Sequence, residues 1–156
     1  MGEILDWKTA IERRNKFSGK VVFTNGVFDF IHRGHIDYLK AARELGDTLI
    51  VGVNSEASAR ALGKGGGRPF NSEQDRAYIL AHLSMVDTVV IFDQPTPEEL
   101  IEALQPDVLV KGGDYELDEI VGRDTVEARG GKVVRIPLTP GKSTTNLINK
   151  ILQFRE

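Results

Sequence analysis

The feature that most restricts how this chain can fold is its rhythm: short β-branched runs alternate with longer amphipathic stretches. Lys20-Val21-Val22-Phe23-Thr24, residues 48–53, 87–92 and 107–111, and Lys132-Val133-Val134-Arg135-Ile136-Pro137 read as five strands. They are almost wholly apolar, the pattern of strands covered on both faces. Between them, Gly34 to Leu45 carries Ile36, Leu39 and Ala42 on one helical face and stops at Gly46. Ser55 to Leu62 and Ser72 to about Leu83 read as helices, the latter with Ser72 as cap. Thr96-Pro97-Glu98-Glu99 opens another that ends near Leu104, before Pro106. Glu119 to Arg129 is weakly helical, Ser143 to Phe154 is a last helix, and Trp7 to Phe17 predicts an added helix ahead of the first strand. Strand–helix alternation of this kind implies an α/β fold, a five-stranded parallel sheet in a three-layer α/β/α sandwich.

A chain of 156 residues, 40% apolar and 28% charged, is enough for one well-buried core and needs no staple. The absence of cysteine excludes disulfides, thiolate metal sites and cysteine nucleophiles. A net charge of −3 argues against nucleic acid or an anionic membrane as the main partner. No apolar run is long enough to span a bilayer, and the N-terminus lacks the basic-then-apolar pattern of a signal peptide, so the expected location is cytoplasmic.

In open parallel sheets, ligands bind beyond the carboxyl ends of the strands, where strand order reverses. The strand-to-helix turns therefore carry the candidates. The first runs from Thr24 through Asn25, Gly26, Phe28 and Asp29 to His32-Arg33-Gly34-His35 and holds two of the three histidines. Residues three apart share a helix face. The backbone N–H groups and dipole at a helix start favour anions. Imidazole donors beside them make a phosphate site, and Gly34 lets a phosphate approach the backbone. A zinc site with Asp29 as third ligand ranks below this, because the pattern is not His-Glu-x-x-His and the position favours anions. Ser143 or Thr144 caps the last helix, and the hydroxyls of Ser143, Thr144 and Thr145 with the N–H groups there can bind phosphate oxygens. Gly141-Lys142-Ser143 imitates the end of a P-loop, but Ile136 stands where that motif needs glycine. Lys111-Gly112-Gly113-Asp114 follows the fourth strand, with a cation, two glycines and a hydrogen-bond acceptor. Residues 63–69 form a glycine-rich loop whose Lys64 and Arg68 are candidates for closing over phosphates, Arg68 the better because Pro69 fixes it. No Gly-x-Gly-x-x-Gly follows the first strand, which argues against a dinucleotide-dependent dehydrogenase.

Thr24-Asn25-Gly26-Val27-Phe28-Asp29 followed by His32-Arg33-Gly34-His35 resembles the nucleotidyltransferase superfamily with the His-x-Gly-His signature. A narrower likeness, to its heptose 1-phosphate adenylyltransferases, rests on Val53-Asn54-Ser55, Gly67-Arg68-Pro69, Val110-Lys111-Gly112-Gly113-Asp114-Tyr115 and Ser143-Thr144-Thr145-Asn146, and spans roughly Trp7 to Ile151. The cytidylyltransferase branch carries Arg-Thr-Glu-Gly-Ile-Ser-Thr-Thr. Thr139-Pro140-Gly141-Lys142-Ser143-Thr144-Thr145 replaces it here without the Arg or Glu, which points away from CTP.

The resemblance implies a Rossmann-like nucleotidyltransferase fold, a single domain over residues 1–156 with 1–19 as a helical extension. It implies transfer of the adenylyl group of ATP to D-glycero-D-manno-heptose 1-phosphate, giving ADP-heptose, a lipopolysaccharide-core precursor, and pyrophosphate. It makes His32, His35 and Lys111 the candidate catalytic residues. Thr24, Asn25, Gly26, Phe28, His32, His35, Arg68, Ser143, Thr144 and Thr145 are the expected nucleotide-binding set. Asp29, Lys111, Gly112 and Asp114 are the expected sugar-phosphate set. Mg²⁺ is expected to travel with ATP without a protein carboxylate cage, and a homodimer is implied. The alternatives are a cytidylyltransferase acting on glycerol 3-phosphate or another phosphorylated acceptor, and a nucleotide-binding sensor without turnover.

Overall fold

A computed structural model describes residues 1–63, 65–113 and 115–154. The chain runs β1 (Glu3–Ile4), α1 (Trp7–Lys16), β2 (Val21–Gly26), α2 (Arg33–Arg43), β3 (Thr48–Asn54), α3 (Glu56–Ala61), α4 (Glu73–Ala81), β4 (Thr88–Phe92), α5 (Glu98–Leu104), β5 (Val108–Gly112), a 3-10 turn (Leu117–Glu119), α6 (Arg123–Ala128), β6 (Lys132–Ile136) and α7 (Thr144–Gln153). The sheet has six parallel strands in the order β1-β4-β3-β2-β5-β6, which corrects the expected five. The added strand, β1, is two residues long and pairs Glu3 with Thr88 and Ile4 with Val89. So short a strand has no periodicity to read. Asp6 then caps α1 by accepting from Thr9 N–H at 2.7 Å, and the Trp7 indole N–H donates to the Ile91 carbonyl at 2.9 Å, which pins α1 to the sheet.

Successive strand residues face opposite layers. Val22, Leu49, Val51, Val53, Val89, Val108 and Val110 join Leu39, Ala77 and Leu80 in one core. Val21, Phe23, Ile50, Val90, Phe92 and Leu109 join Leu100, Ile101 and Leu104 in the other. Each fully buried aliphatic or aromatic side chain contributes roughly 1.5–3 kcal/mol, so both faces of the sheet are strongly specified. The weak helix expected from Glu119 to Arg129 is shorter: α6 begins at Arg123, after the 3-10 turn that ends at Glu119 and after Gly122 at φ +88°. None of the residues of α7 is buried. No helix among the described residues is long and apolar enough to cross a membrane.

Strand order reverses between β2 and β5. Their register covers only Val22 with Val108 and Phe23 with Leu109. The outer ladders run further, β2–β3 to Gly26 with Val53 and β5–β6 to Gly112 with Ile136. The two central strands therefore fork, and the fork is the floor of the cleft described next.

Candidate active site

A cleft of about 740 Å³ opens at the carboxyl edge of the sheet over this fork. Thr24, at the crotch, is fully buried and does not line it. Its hydroxyl donates to the Val110 carbonyl at 3.0 Å and lies 2.6 Å from the Tyr38 hydroxyl, which itself reaches that carbonyl at 3.1 Å. Two hydroxyl protons serve three short contacts, and side chains replace the ladder bond that the fork removes. Burial pushes the Tyr38 phenol up to about 12, partly offset by its Thr24 hydrogen bond, so Tyr38 is no acid or base near neutrality.

The turn after β2 places the histidines. Phe28 holds φ +51°, a left-handed conformation rare for a bulky residue, and its ring covers Gly26, where a Cβ would fall 2.9 Å from it. A backbone held this way costs on the order of 1–3 kcal/mol. Its effect is to set the Phe28 ring edge-on against His35, with centroids 5.4 Å apart.

His32 is the N-cap of α2, and the two imidazoles cap the helix reciprocally. Gly34 N–H donates to His32 Nδ1 at 3.1 Å, and His32 N–H donates to His35 Nδ1 at 3.2 Å. This is the logic of a Ser-x-x-Glu capping box written in imidazole. Assigned from that network, each ring keeps Nδ1 as an acceptor and carries a proton on Nε2. The rings stack with centroids 3.9 Å apart, and both line the cleft. Gly34 is required here because a Cβ would sit 2.8 Å from the His32 ring and 3.3 Å from Lys142 Cβ. Burial, then the nearby Lys142 charge, hold the His32 pKa below its ordinary value, which keeps the ring neutral and its Nδ1 free to accept.

The opposite wall is the start of α7. Ser143 Oγ accepts from Asn146 N–H at 3.0 Å and caps that helix, leaving its own proton to donate. Lys142, Ser143, Thr144 and Thr145 line the cleft, as do Leu138 and Thr139. Across the fork, Lys111 Nζ donates to Asn25 Oδ1 at 3.2 Å and lies 5.6 Å from the Tyr115 ring centroid. Arg68, Lys111 and Lys142 bring three cations to the lining, against the carboxylates of Asp29 and Glu119.

The structure thus gathers Asn25, Gly26, Phe28, Asp29, His32, His35, Arg68, Lys111, Gly112, Ser143, Thr144 and Thr145 around one cleft. It leaves Thr24 beneath it. Asp114 and Lys64 lie outside the described residues. Asp29 lines the cleft, but its carboxylate is occupied: Oδ2 accepts from Phe70 N–H and Oδ1 from Asn71 N–H, each at 2.9 Å. No cluster of three potential metal ligands exists among the described residues. Sequence reasoning missed Tyr38 and the weight of Lys142. Tyr38 follows His35 by three residues and so shares its helix face, which was the available signal. Lys142 was visible only as half of a failed P-loop.

A parallel α/β sheet with a cleft at its order reversal, two tautomer-fixed imidazoles at one helix start and a hydroxyl-rich helix start opposite define a nucleotidyltransferase-type domain. The chain belongs to the cytidylyltransferase-like family, whose model matches residues 23–150. It is 58% identical over 147 residues to the bifunctional protein HldE of Syntrophotalea carbinolica, covering 94% of this chain and 29% of that protein. The bifunctional protein HldE of Geobacter sulfurreducens is 53% identical over 150 residues, covering 96% of this chain and 30% of that protein. The chain thus spans about 30% of the length of these curated relatives. Among solved structures, the lipopolysaccharide core biosynthesis protein from Thermoplasma volcanium superposes with a TM-score of 0.65 at 30% identity, over 78% of this chain and 98% of that one. Pantoate-beta-alanine ligase from Francisella tularensis, at 16% identity and TM-score 0.62 over 99% of this chain and 80% of its own, shares the fold.

Proposed function

We propose that the chain transfers the adenylyl group of ATP to D-glycero-D-manno-heptose 1-phosphate, releasing pyrophosphate and ADP-heptose. An oxygen of the sugar phosphate attacks the α-phosphorus in line. The bond from that phosphorus to the α–β bridging oxygen breaks, and its electrons leave with pyrophosphate. No proton needs to move, so the protein's tasks are positioning and charge stabilisation. The observation that carries the reading is the pair of Nε2 donors fixed by reciprocal capping at the start of α2, beside Lys142 and facing Ser143, Thr144 and Thr145.

In this reading His32 and His35 hydrogen-bond the α- and β-phosphate oxygens as charge builds there. The start of α7, with Lys142, holds the rest of the triphosphate, and Arg68 closes on the pyrophosphate. Asn25, Gly26 and Phe28 cradle the nucleotide, and Lys111, Gly112 and Asp114 receive the sugar phosphate. Mg²⁺ would be held by the nucleotide's phosphates rather than by a protein carboxylate cage, and would supply charge neutralisation beside that of Arg68, Lys111 and Lys142. The heptose acceptor is supported by the Lys111–Tyr115 segment and by the description of the Thermoplasma volcanium relative as a lipopolysaccharide core biosynthesis protein. The reading places the reaction in the cytoplasm, where ATP is available, and includes a homodimer, which sedimentation of the purified chain tests.

Pyrophosphate release from ATP and CTP, each offered heptose 1-phosphates and glycerol 3-phosphate, tests the assignment. ATP with the heptose is expected to be fastest. Faster turnover with CTP for every acceptor overturns the adenylyl reading. ATP binding without pyrophosphate release from any pair converts the protein into a sensor.

A further inference from the structure

Arg76 is the largest fully buried side chain among the described residues and does not line the cleft. A guanidinium with no exposure is rare, because burying a cation is costly unless its donors are met. Here three of the five are met, by carbonyls of three different segments. Nη1 donates to the Val27 carbonyl in the turn after β2 and to the Asn54 carbonyl at the end of β3, both at 2.7 Å. Nε donates to the Asn71 carbonyl ahead of α4 at 3.0 Å. Nη2 is buried and has no partner among the described residues. Burial pushes the guanidinium pKa down, while Asp29, then Glu73 and Glu56, push it up.

The second half of the junction is Asp29. Its carboxylate accepts the Phe70 and Asn71 backbone N–H groups, and Asn71 Nδ2 donates back to the Asp29 carbonyl at 2.8 Å. The Phe30 and Phe70 rings meet at 5.4 Å. Phe70 and Asn71 directly follow Arg68-Pro69, and Val27 directly precedes Phe28, whose ring braces His35. The junction therefore ties the segment bearing Arg68 to the turn bearing the histidines.

We propose that Arg76 is a positioning residue for the transfer reaction, acting through Asn71 and Asp29 to hold the Arg68 segment in register with the His32–His35 turn. This rests on the transfer reading above. It also gives Asp29 the role of a loop staple in place of an acceptor ligand. Arg76 touches no substrate. Its influence is on geometry, and a displacement of about 1 Å at a reacting centre can lower turnover on the order of 10²-fold.

The test is Arg76→Lys, which keeps the charge and cannot reach three carbonyls at once. Steady-state pyrophosphate release is expected to show kcat reduced about 10–100-fold with KM for ATP changed by less than about three-fold. Amide hydrogen exchange is expected to accelerate at Phe70 and Asn71 while Val22 and Val51 in the central strands keep their protection. Asn71→Ala removes only the side-chain donor and is expected to give the same pattern, weaker. If Arg76→Lys does not fold, an unchanged kcat in Asn71→Ala still overturns the proposal, because that variant breaks the Asn71–Asp29 side-chain link through which Arg76 is held to act. An unchanged kcat overturns the proposal, and so does a kcat that falls only with uniform loss of exchange protection. If the wild-type chain releases no pyrophosphate from any pair of substrates, the transfer reading fails instead. Exchange at Phe70 and Asn71 in Arg76→Lys then still decides whether Arg76 holds that segment.

Discussion

The His32 and His35 rings stack at 3.9 Å, and each Nδ1 is occupied by a backbone N–H of the same turn. Helix capping is thus done by Nδ1 of each ring, and the proposed phosphate binding falls to the opposite nitrogen. His35→Ala removes both. Turnover is expected to fall about 10²–10³-fold with little change in ATP affinity, and stability to fall by about 1 kcal/mol through loss of the cap. His35→Gln separates the two, since a Gln carbonyl three residues into the helix can accept the His32 N–H. It is expected to recover most of the stability in urea unfolding while turnover stays at least about ten-fold low. Equal loss of ATP affinity and turnover in His35→Ala would remove His35 from the transition state.

The His32 proton gives a pH dependence of definite sign. The folded protein holds the His32 pKa below 6.5, first by burial and second by Lys142. As pH falls through 6.5, the unfolded chain takes up this proton before the folded one does. The contribution to stability is therefore full above 6.5 and is lost as pH drops toward the folded value. Protonation at Nδ1 also removes the acceptor for Gly34 N–H. A proton-detected titration of His32 is expected to give a midpoint below 6.5, moved upward but not fully restored in Lys142→Met, because burial is the larger cause. A midpoint at or above 6.5 in the wild type contradicts the neutral, Nε2-protonated assignment.

Much of this was legible in the sequence, for reasons that differ by element. The five longer strands announce themselves because both faces are apolar, and Ser55, Ser72 and Ser143 announce helix starts because a hydroxyl at that position accepts a backbone N–H. β1 was hidden because two residues carry no period. Thr24 was read with the phosphate turn because it adjoins Asn25, yet strand alternation turns its side chain into the core. Asp29 sits beside the signature, but its partners lie at Phe70 and Asn71, forty-odd residues on, and no local pattern shows a contact of that span. Arg76, among the polar residues of a helix start, reads as a solvated charge until tertiary structure buries it.

Lys111 reaches across the fork to Asn25, so it can sense both halves of the cleft. If it receives the sugar phosphate, Lys111→Met is expected to raise the acceptor KM about ten-fold or more while ATP dissociation changes less than about three-fold. Calorimetric titration with ATP, set beside acceptor saturation curves, measures both. Loss of ATP affinity by the same factor as acceptor affinity would move Lys111 to the nucleotide half.

Thr24 closes the fork from below, and a substitution can separate that role from ligand binding. Thr24→Val keeps the shape and removes the hydroxyl. The Val110 carbonyl keeps Tyr38 as a donor, so no buried acceptor is stranded. The Tyr38 hydroxyl loses its 2.6 Å contact but retains that carbonyl. The expected cost is therefore that of about one net hydrogen bond, roughly 0.5–1.5 kcal/mol in urea unfolding. KM for ATP is expected to hold, because Thr24 is sealed from the cleft. The phenol, at about 12, stays protonated from pH 6 to 9, so the activity profile over that range is also expected to keep its shape. A rise in the ATP KM out of proportion to the stability change would return Thr24 to the nucleotide cradle.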